Sequence, residues 1–216
     1  MKKKRKLAAP LRHSTLLAVG LCFCCLGCER WKLPDGEQKP NELFEVAAET
    51  AFMQLRKEKD DSTRQSTREY IDALREIMRG GDVNKRYSNG YTLLMMSVCR
   101  NETNIVKRLV SLDYFADVNI ADVKGNTPLI VASELGHNEV VRTLIEAGAQ
   151  TNATNTDGKN ALMACVSNGE REIALMLIDA GVKLDVKDKK GKMYGDYALD
   201  AGHQEMITVI SERIKK

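Results

Sequence analysis

Four glycines, Gly90, Gly125, Gly158 and Gly191, follow one another at intervals of 35, 33 and 33 residues, and the sequence downstream of each falls into register. A period in this range marks units that cannot bury an apolar face alone and must stack on copies of themselves. At 15, 16, 19 and 20 residues past each glycine stand Ile105, Val106, Leu109 and Val110; Val140, Val141, Leu144 and Ile145; Ile173, Ala174, Leu177 and Ile178; and Met206, Ile207, Ile210 and Ser211. The spacing predicts one apolar helix stripe per unit. Seven residues past each glycine comes a small side chain, Ser97, Ala132, Cys165 or Ala198, which lets neighbouring helices approach closely. Eleven residues past it come Asn101, Gly136, Gly169 and Gly202, which suit the left-handed turn that stops a first helix before a second begins.

In this register the second unit, from Gly125 through Asn126, Thr127, Pro128 and Leu129 to Gly136, His137, Asn138 and Val141, resembles an ankyrin repeat: turn, short helix, turn, longer helix, hairpin. Thr127 and Pro128 resemble its helix start, where Pro costs no hydrogen bond. The resemblance covers units 89–123, 124–156, 157–189 and 190–216, with a partial unit before them. It implies an all-α ankyrin-repeat solenoid of helix-turn-helix units with short hairpin loops. The chain departs from the family five residues past each glycine, where Met95, Ile130, Met163 and Asp196 replace the usual His. The hydrogen-bond network organised by that His is therefore expected to be missing. The last unit departs further, with Tyr194, Gly195 and Asp196 in place of Pro, Leu and His, and Ser211 closing its stripe; a terminal cap calls for such a polar outer face.

Ahead of the array, residues 42–88 are expected to form N-terminal capping helices and the partial repeat. Ser66 and Glu69 form a capping-box pattern before Ala73, Leu74, Ile77, Met78 and Gly81. Leu43, Phe44, Ala47, Ala48, Ala51, Phe52 and Leu55 make an earlier amphipathic helix, with Asp60 to Gln65 as a polar loop between the two. Residues 28–41, with Pro34, Gly36 and Pro40, form a tether. Residues 1–27 have the layout of a signal peptide: basic to residue 13, apolar from 16 to 27, polar from Cys28. The 12 apolar residues fall short of the ~20 that a membrane-crossing helix needs. Cys25-Leu26-Gly27-Cys28 resembles a bacterial lipobox, with Gly27 fitting the pattern and Cys25 and Leu26 departing from it. That resemblance implies lipidation of Cys28 and a cell-envelope protein, membrane-anchored on the periplasmic or surface side. Simple secretion and an uncleaved signal anchor are the alternatives. Cys22, Cys24 and Cys25 read as small hydrophobes of the apolar run rather than as a metal site.

Without residues 1–27 the chain carries 27 Lys and Arg against 30 Asp and Glu, so a nucleic-acid role has no basic surface to rest on. His137 and His203 share one slot, directly after the inter-helix glycine, and are expected to pack between units rather than bind metal. Cys99 and Cys165 lie two units apart; with packed helices about 8–10 Å apart they exceed the ~7 Å Cα limit for a disulfide. Both are expected to be free, buried thiols. Met95, Met96 and Met163 read as core filler, and the charged runs at 56–69 and 187–192 as solvated faces. No phosphate loop, paired-carboxylate motif or nucleophile elbow is present, so neither an enzyme nor a cofactor is expected.

The family resemblance implies a non-enzymatic, monomeric module that binds a protein partner on the concave face of the solenoid. Contacts are expected from the hairpin tips and the exposed face of the first helices: Arg86, Ser88, Tyr91, Ala121, Val123, Lys124, Asn126, Glu134, Thr154, Thr156, Lys159, Ser167, Lys187, Lys189 and Lys192. About half of them would be ordinary solvated loop residues, since hot spots are usually under a third of an interface. Tyr91 leads as the one aromatic in the set. A periplasmic accessory or immunity-type factor guarding an enzyme or toxin is the second reading, and a hydrolase or metal carrier using His137 and His203 the third.

Overall fold

A short helix forms only if something satisfies its first N–H groups, and in three of the units one position supplies that acceptor. Thr92 Oγ1 accepts from the Met95 N–H at 3.3 Å, Thr127 Oγ1 from Ile130 at 3.4 Å, and Asn160 Oδ1 from Met163 at 3.0 Å. The structure, a computed structural model, describes residues 40–111 and 114–215. The signal segment, Cys28 and all but the end of the tether lie outside the described residues. Two helices come first, α1 (Pro40–Leu55) and α2 (Asp61–Met78). Four pairs follow: α3 (Leu93–Cys99) with α4 (Thr103–Val110), α5 (Pro128–Glu134) with α6 (Asn138–Glu146), α7 (Ala161–Ser167) with α8 (Arg171–Asp179), and α9 (Tyr194–Asp200) with α10 (Gln204–Ile214). The described residues are helical with no strand, an all-α repeat architecture.

The first helices of the pairs stack on one another and the second helices stack beside them. The apolar quartets face the seam between these two rows. Val140, Val141, Leu144, Ile173, Ala174, Leu177 and Ile210 are fully buried, and Val110, Ile145, Ile178 and Ile207 complete the stripes half-buried. Ser97, Ala132, Cys165 and Ala198 are all fully buried. Asn101, Gly136, Gly169 and Gly202 adopt the expected left-handed turn, with φ of 55°, 73°, 73° and 79°. In the last unit the cap is reversed: the Asp196 carboxylate accepts from the Met193 N–H at 2.8 Å.

The N-terminal helices differ from expectation in two places. Residues 61–65 belong to α2 rather than to a loop, because the Asp60 carboxylate accepts from the Thr63 N–H at 2.9 Å, from the Thr63 hydroxyl at 3.0 Å and from the Ser62 hydroxyl. Three local donors on one carboxylate start the helix ahead of Ser66, leaving Glu69 to accept from Gln65 and Ser88. Phe52, expected on the buried stripe of α1, is 41% exposed with the Arg56 guanidinium 5.1 Å from its ring; Ala51 takes the buried place. Phe44 is fully buried and meets Tyr114 edge-on at 5.2 Å, which joins α1 to the first unit.

Candidate partner-binding face

The hairpin tips are shaped by one side chain each. Asp122 Oδ1 accepts from the N–H groups of Lys124 and Asn126, both at 2.8 Å. Asn155 Oδ1 does the same for Asp157 and Lys159 at 2.9 and 3.0 Å, and Asp188 Oδ1 for Lys190 and Lys192 at 2.8 Å each. An Asp or Asn that folds its own turn in this way leaves the tip little conformational freedom. These three residues were missed in the sequence, yet each stands three residues before Gly125, Gly158 or Gly191, so the period itself carried the signal. In the first unit Tyr87 takes that place and its hydroxyl donates to Glu76 at 2.9 Å.

Each tip is also tied to the one before it. The N–H of Val123 donates to the Asn89 carbonyl at 3.0 Å, Thr156 to Lys124 at 2.9 Å, and Lys189 to Asp157 at 2.9 Å. A second set of rungs runs through side chains: Asn84, Asn119 and Asn152 accept from the N–H groups of Asp117, Gln150 and Lys183 at 2.8, 2.8 and 2.6 Å. The approach is close enough to require glycine. A Cβ on Gly125 would stand 2.9 Å from the Thr156 nitrogen, and one on Gly158 3.0 Å from the Asp188 Cα.

On this frame the expected contact residues separate into two groups. Val123, 68% exposed, projects into solvent together with Lys124, Glu134, Thr154, Thr156, Lys187 and Lys189. The rest are partly engaged within the protein. Arg86 donates to the Ala121 carbonyl at 3.0 Å, and Ser88 donates to Glu69. Asn126 accepts from Asn155 Nδ2 at 2.9 Å, Ser167 donates to the Met163 carbonyl at 2.8 Å, and Lys192 pairs with Asp200. The Lys159 ammonium lies 4.9 Å above the Tyr197 ring. Tyr91 is half-buried and, with Thr67, Met96, Cys99 and Arg100, lines a cavity of about 260 Å³ between α2 and the first unit.

The first helices contribute less surface than expected. From Leu93 to Val98, Pro128 to Ser133 and Ala161 to Val166 every residue is buried, so in these three helices only the last turns reach solvent. This corrects Cys99, which is exposed rather than buried: it stands in the final-turn position held by Glu134 and Asp200, both exposed, and by half-buried Ser167. Cys165 is fully buried as expected, its thiol pushed up by burial.

The slot after each inter-helix turn reaches back to the preceding unit. Glu102 accepts from the Tyr70 hydroxyl, and Arg100 lies 4.6 Å above the Tyr70 ring while donating to Thr67 at 2.7 Å and Gln54 at 3.1 Å. Burial holds the His137 imidazole below its ordinary value, against the hydrogen bond it makes with the Cys99 backbone. Glu170 and His203 fill the space over Gly136 and Gly169, where a Cβ would lie 2.5 Å from Glu170 Oε1 and 2.9 Å from His203 Cε1. His137 and His203 therefore sit as packing between units. Among the described residues no group of three or more His, Cys, Asp and Glu could hold a metal ion, and no helix is long and apolar enough to cross a membrane.

Comparison with known proteins agrees with this architecture. The family model for ankyrin repeats in three copies matches residues 65–155, and that for a single ankyrin repeat matches residues 157–189. A protein of Rickettsia felis named for its ankyrin repeats is 36% identical over 79 residues, 37% of this chain and 20% of its own length. The potassium channel AKT1 of Arabidopsis thaliana is 37% identical over 71 residues, 32% of this chain and 8% of the channel. Delta-latroinsectotoxin-Lt1a of Latrodectus tredecimguttatus is 29% identical over 82 residues, 38% of this chain and 7% of the toxin. The chain spans a fifth or less of the length of these curated relatives. Stacked helix pairs, recurring left-handed turns and two family matches that together cover more than half of the residues place the chain in the ankyrin-repeat family.

Proposed function

We propose that this protein is a non-enzymatic interaction module, exported and held at a membrane by a lipid on Cys28, that binds a protein partner as a monomer through its hairpin tips and the last turns of its first helices. Ankyrin repeats are protein-interaction units, and the observation that carries the reading here is the ladder of tips. Three successive tips are each closed by an Asp or Asn and hydrogen-bonded to the tip before, so the side chains between them are presented on a fixed spacing. A preorganised surface lowers the entropy cost of association. The second helices offer a contrasting face on which Arg142 lies near Glu139 and Glu172 at 3.8 and 3.7 Å.

The anchoring half rests on the basic, apolar and Gly27-Cys28 series. Expressed in a bacterium that processes lipoproteins, the protein should incorporate labelled fatty acid, and Cys28→Ser should not. For the partner, a photo-crosslinking amino acid at Lys124 or Thr156 in the source cells should yield one discrete adduct, and the same group at Arg171 none. An adduct from Arg171 alone would place recognition on the second helices.

A further inference from the structure

Three cations of the second helices are neutralised by carboxylates from neighbouring turns and units. Lys107 pairs with Glu139 at 2.7 Å, Arg142 lies between Glu139 and Glu172, and Arg213 pairs with Asp179 at 2.7 Å. The last hairpin is different. Between residues 183 and 192 it carries five lysines against Asp185 and Asp188. The buried Asp188 carboxylate is occupied by the turn, accepting from Lys190 N, Lys192 N and the Tyr197 hydroxyl. Lys192 is paired with Asp200. The side chains of Lys183, Lys187 and Lys189 make no hydrogen bond or ion pair with any described residue, and all three are exposed.

Lys189 borders an opening between tips. A cavity of about 210 Å³ lies between the third and fourth tips, walled by Asp157 and Lys159 from one, Asp188, Lys189, Lys190 and Lys192 from the other, and Tyr197 of α9. Four lysines line it against Asp157 and Asp188, and an excess of positive charge around a recess creates a field that draws in an anion. The recess is held open by fixed parts, since Lys189 N is bonded to the Asp157 carbonyl, Tyr197 to Asp188, and Lys159 rests over the Tyr197 ring.

Given that the tip face is the partner surface, we propose that the cleft between the last two tips docks a segment of the partner rich in Asp and Glu. Lys189 and Lys190 at the recess and Lys187 on the same hairpin are exposed cations for the carboxylates of an extended chain, with the exposed acids Asp157, Asp185, Asp196 and Asp200 interspersed around them. A flat anionic bilayer would meet those four acids together with the lysines, which favours a peptide as the occupant.

The test uses the full chain and a short fluorescent peptide of alternating Glu and Gly carrying a photo-crosslinker, followed by anisotropy at low and raised salt. Wild type should bind in a salt-sensitive way, with crosslinks on the third and fourth tips. Lys187→Glu, Lys189→Glu and Lys190→Glu combined should weaken binding at least about tenfold, while Arg142→Glu with Arg171→Glu should not. Melting curves check that both variants fold, and crosslink positions on wild type decide the matter if the triple variant does not. Equal binding by the triple variant, crosslinks elsewhere, or capture by phosphatidylglycerol vesicles without peptide binding would each overturn the proposal. Once the partner is in hand, a complex broken by Tyr91→Ala with Lys124→Ala but not by the triple reversal would remove the acidic segment and keep the tip face. Indifference to both sets would remove the two together.

Discussion

Helices α5 and α9 occupy the same place in their units and differ in what lies beside them. α5 stacks between α3 and α7 and buries Pro128 through Ser133 without a break; α9 packs on α7 and buries Ala198 alone, leaving Leu199 52% exposed. The inner unit is held by apolar contact on both sides. The last unit relies more on polar ties: Tyr197 to Asp188, Lys192 to Asp200, and Arg213 to Asp179. A solenoid thus exchanges burial for ionic attachment where a stacked neighbour is absent among the described residues.

The largest expected effect tests the buried side of that contrast. Leu144 is fully buried between the stacked rows, so Leu144→Ala should cost about 2–5 kcal/mol through lost burial and a cavity. Leu199→Ala in the last unit should stay within about 0.5 kcal/mol. Denaturant unfolding followed by far-ultraviolet circular dichroism measures both, and equal midpoints would mean that neighbours do not set the difference. Next in size are the caps. Thr127→Ala removes a buried acceptor from the start of α5 and should cost about 1 kcal/mol. Asp196→Ala, at an exposed cap that water can replace, should cost clearly less. A larger loss at Asp196 would reverse the contrast.

Much of the array was legible because burial there repeats in the letters. The quartets, the small residues at Ser97, Ala132, Cys165 and Ala198, and the turns at Asn101 and the three glycines recur at fixed offsets, and the structure uses them as their spacing implies. Legibility failed where there was no second copy to align. The capping-box letters put the helix start at Ser66 and Asp60 in the loop before it, whereas the outcome depended on how many local donors the Asp60 carboxylate could collect. Cys99 has a buried counterpart in letter only, since its exposure follows from the end of a seven-residue helix. For the partner face, a list of tip positions does not reveal that Asn126 and Arg86 bind neighbouring tips while the side chains of Lys187 and Lys189 stay free of described partners. That division depends on distances between units.

The ionic side of the contrast gives smaller effects. Arg213 and Asp179 are both about half exposed, so Arg213→Ala should cost less than the Thr127 cap, and less still in high salt, read from the same denaturation curves. Loss of more than the Thr127 cap would mean that the pair, rather than the stripe under α10, holds the last unit in place.

The smallest effect at neutral pH, and the sharpest in acid, is expected at Asp188. The Tyr197 hydroxyl above all, then the N–H groups of Lys192 and Lys190, hold its carboxyl below the ordinary carboxylate range, with burial opposing them. A depressed folded value means that ionised Asp188 favours the folded state. Its contribution is complete above the carboxylate's unfolded value and is lost as pH falls through the folded one. Asn155 closes the third tip with the same two N–H acceptances and no charge, so Asp188→Asn should keep the turn but, lacking an ionised acceptor for the Tyr197 hydroxyl, melt slightly below wild type near neutral pH. In acid the two proteins should converge, because only the wild type loses a charge there. Asn155→Asp should do the reverse, giving the third tip an acid-sensitive tie. Melting temperatures taken from neutral pH down to pH values below the carboxylate range would decide it. Parallel curves for wild type and Asp188→Asn would show that the last tip is held by shape alone, like the inner ones.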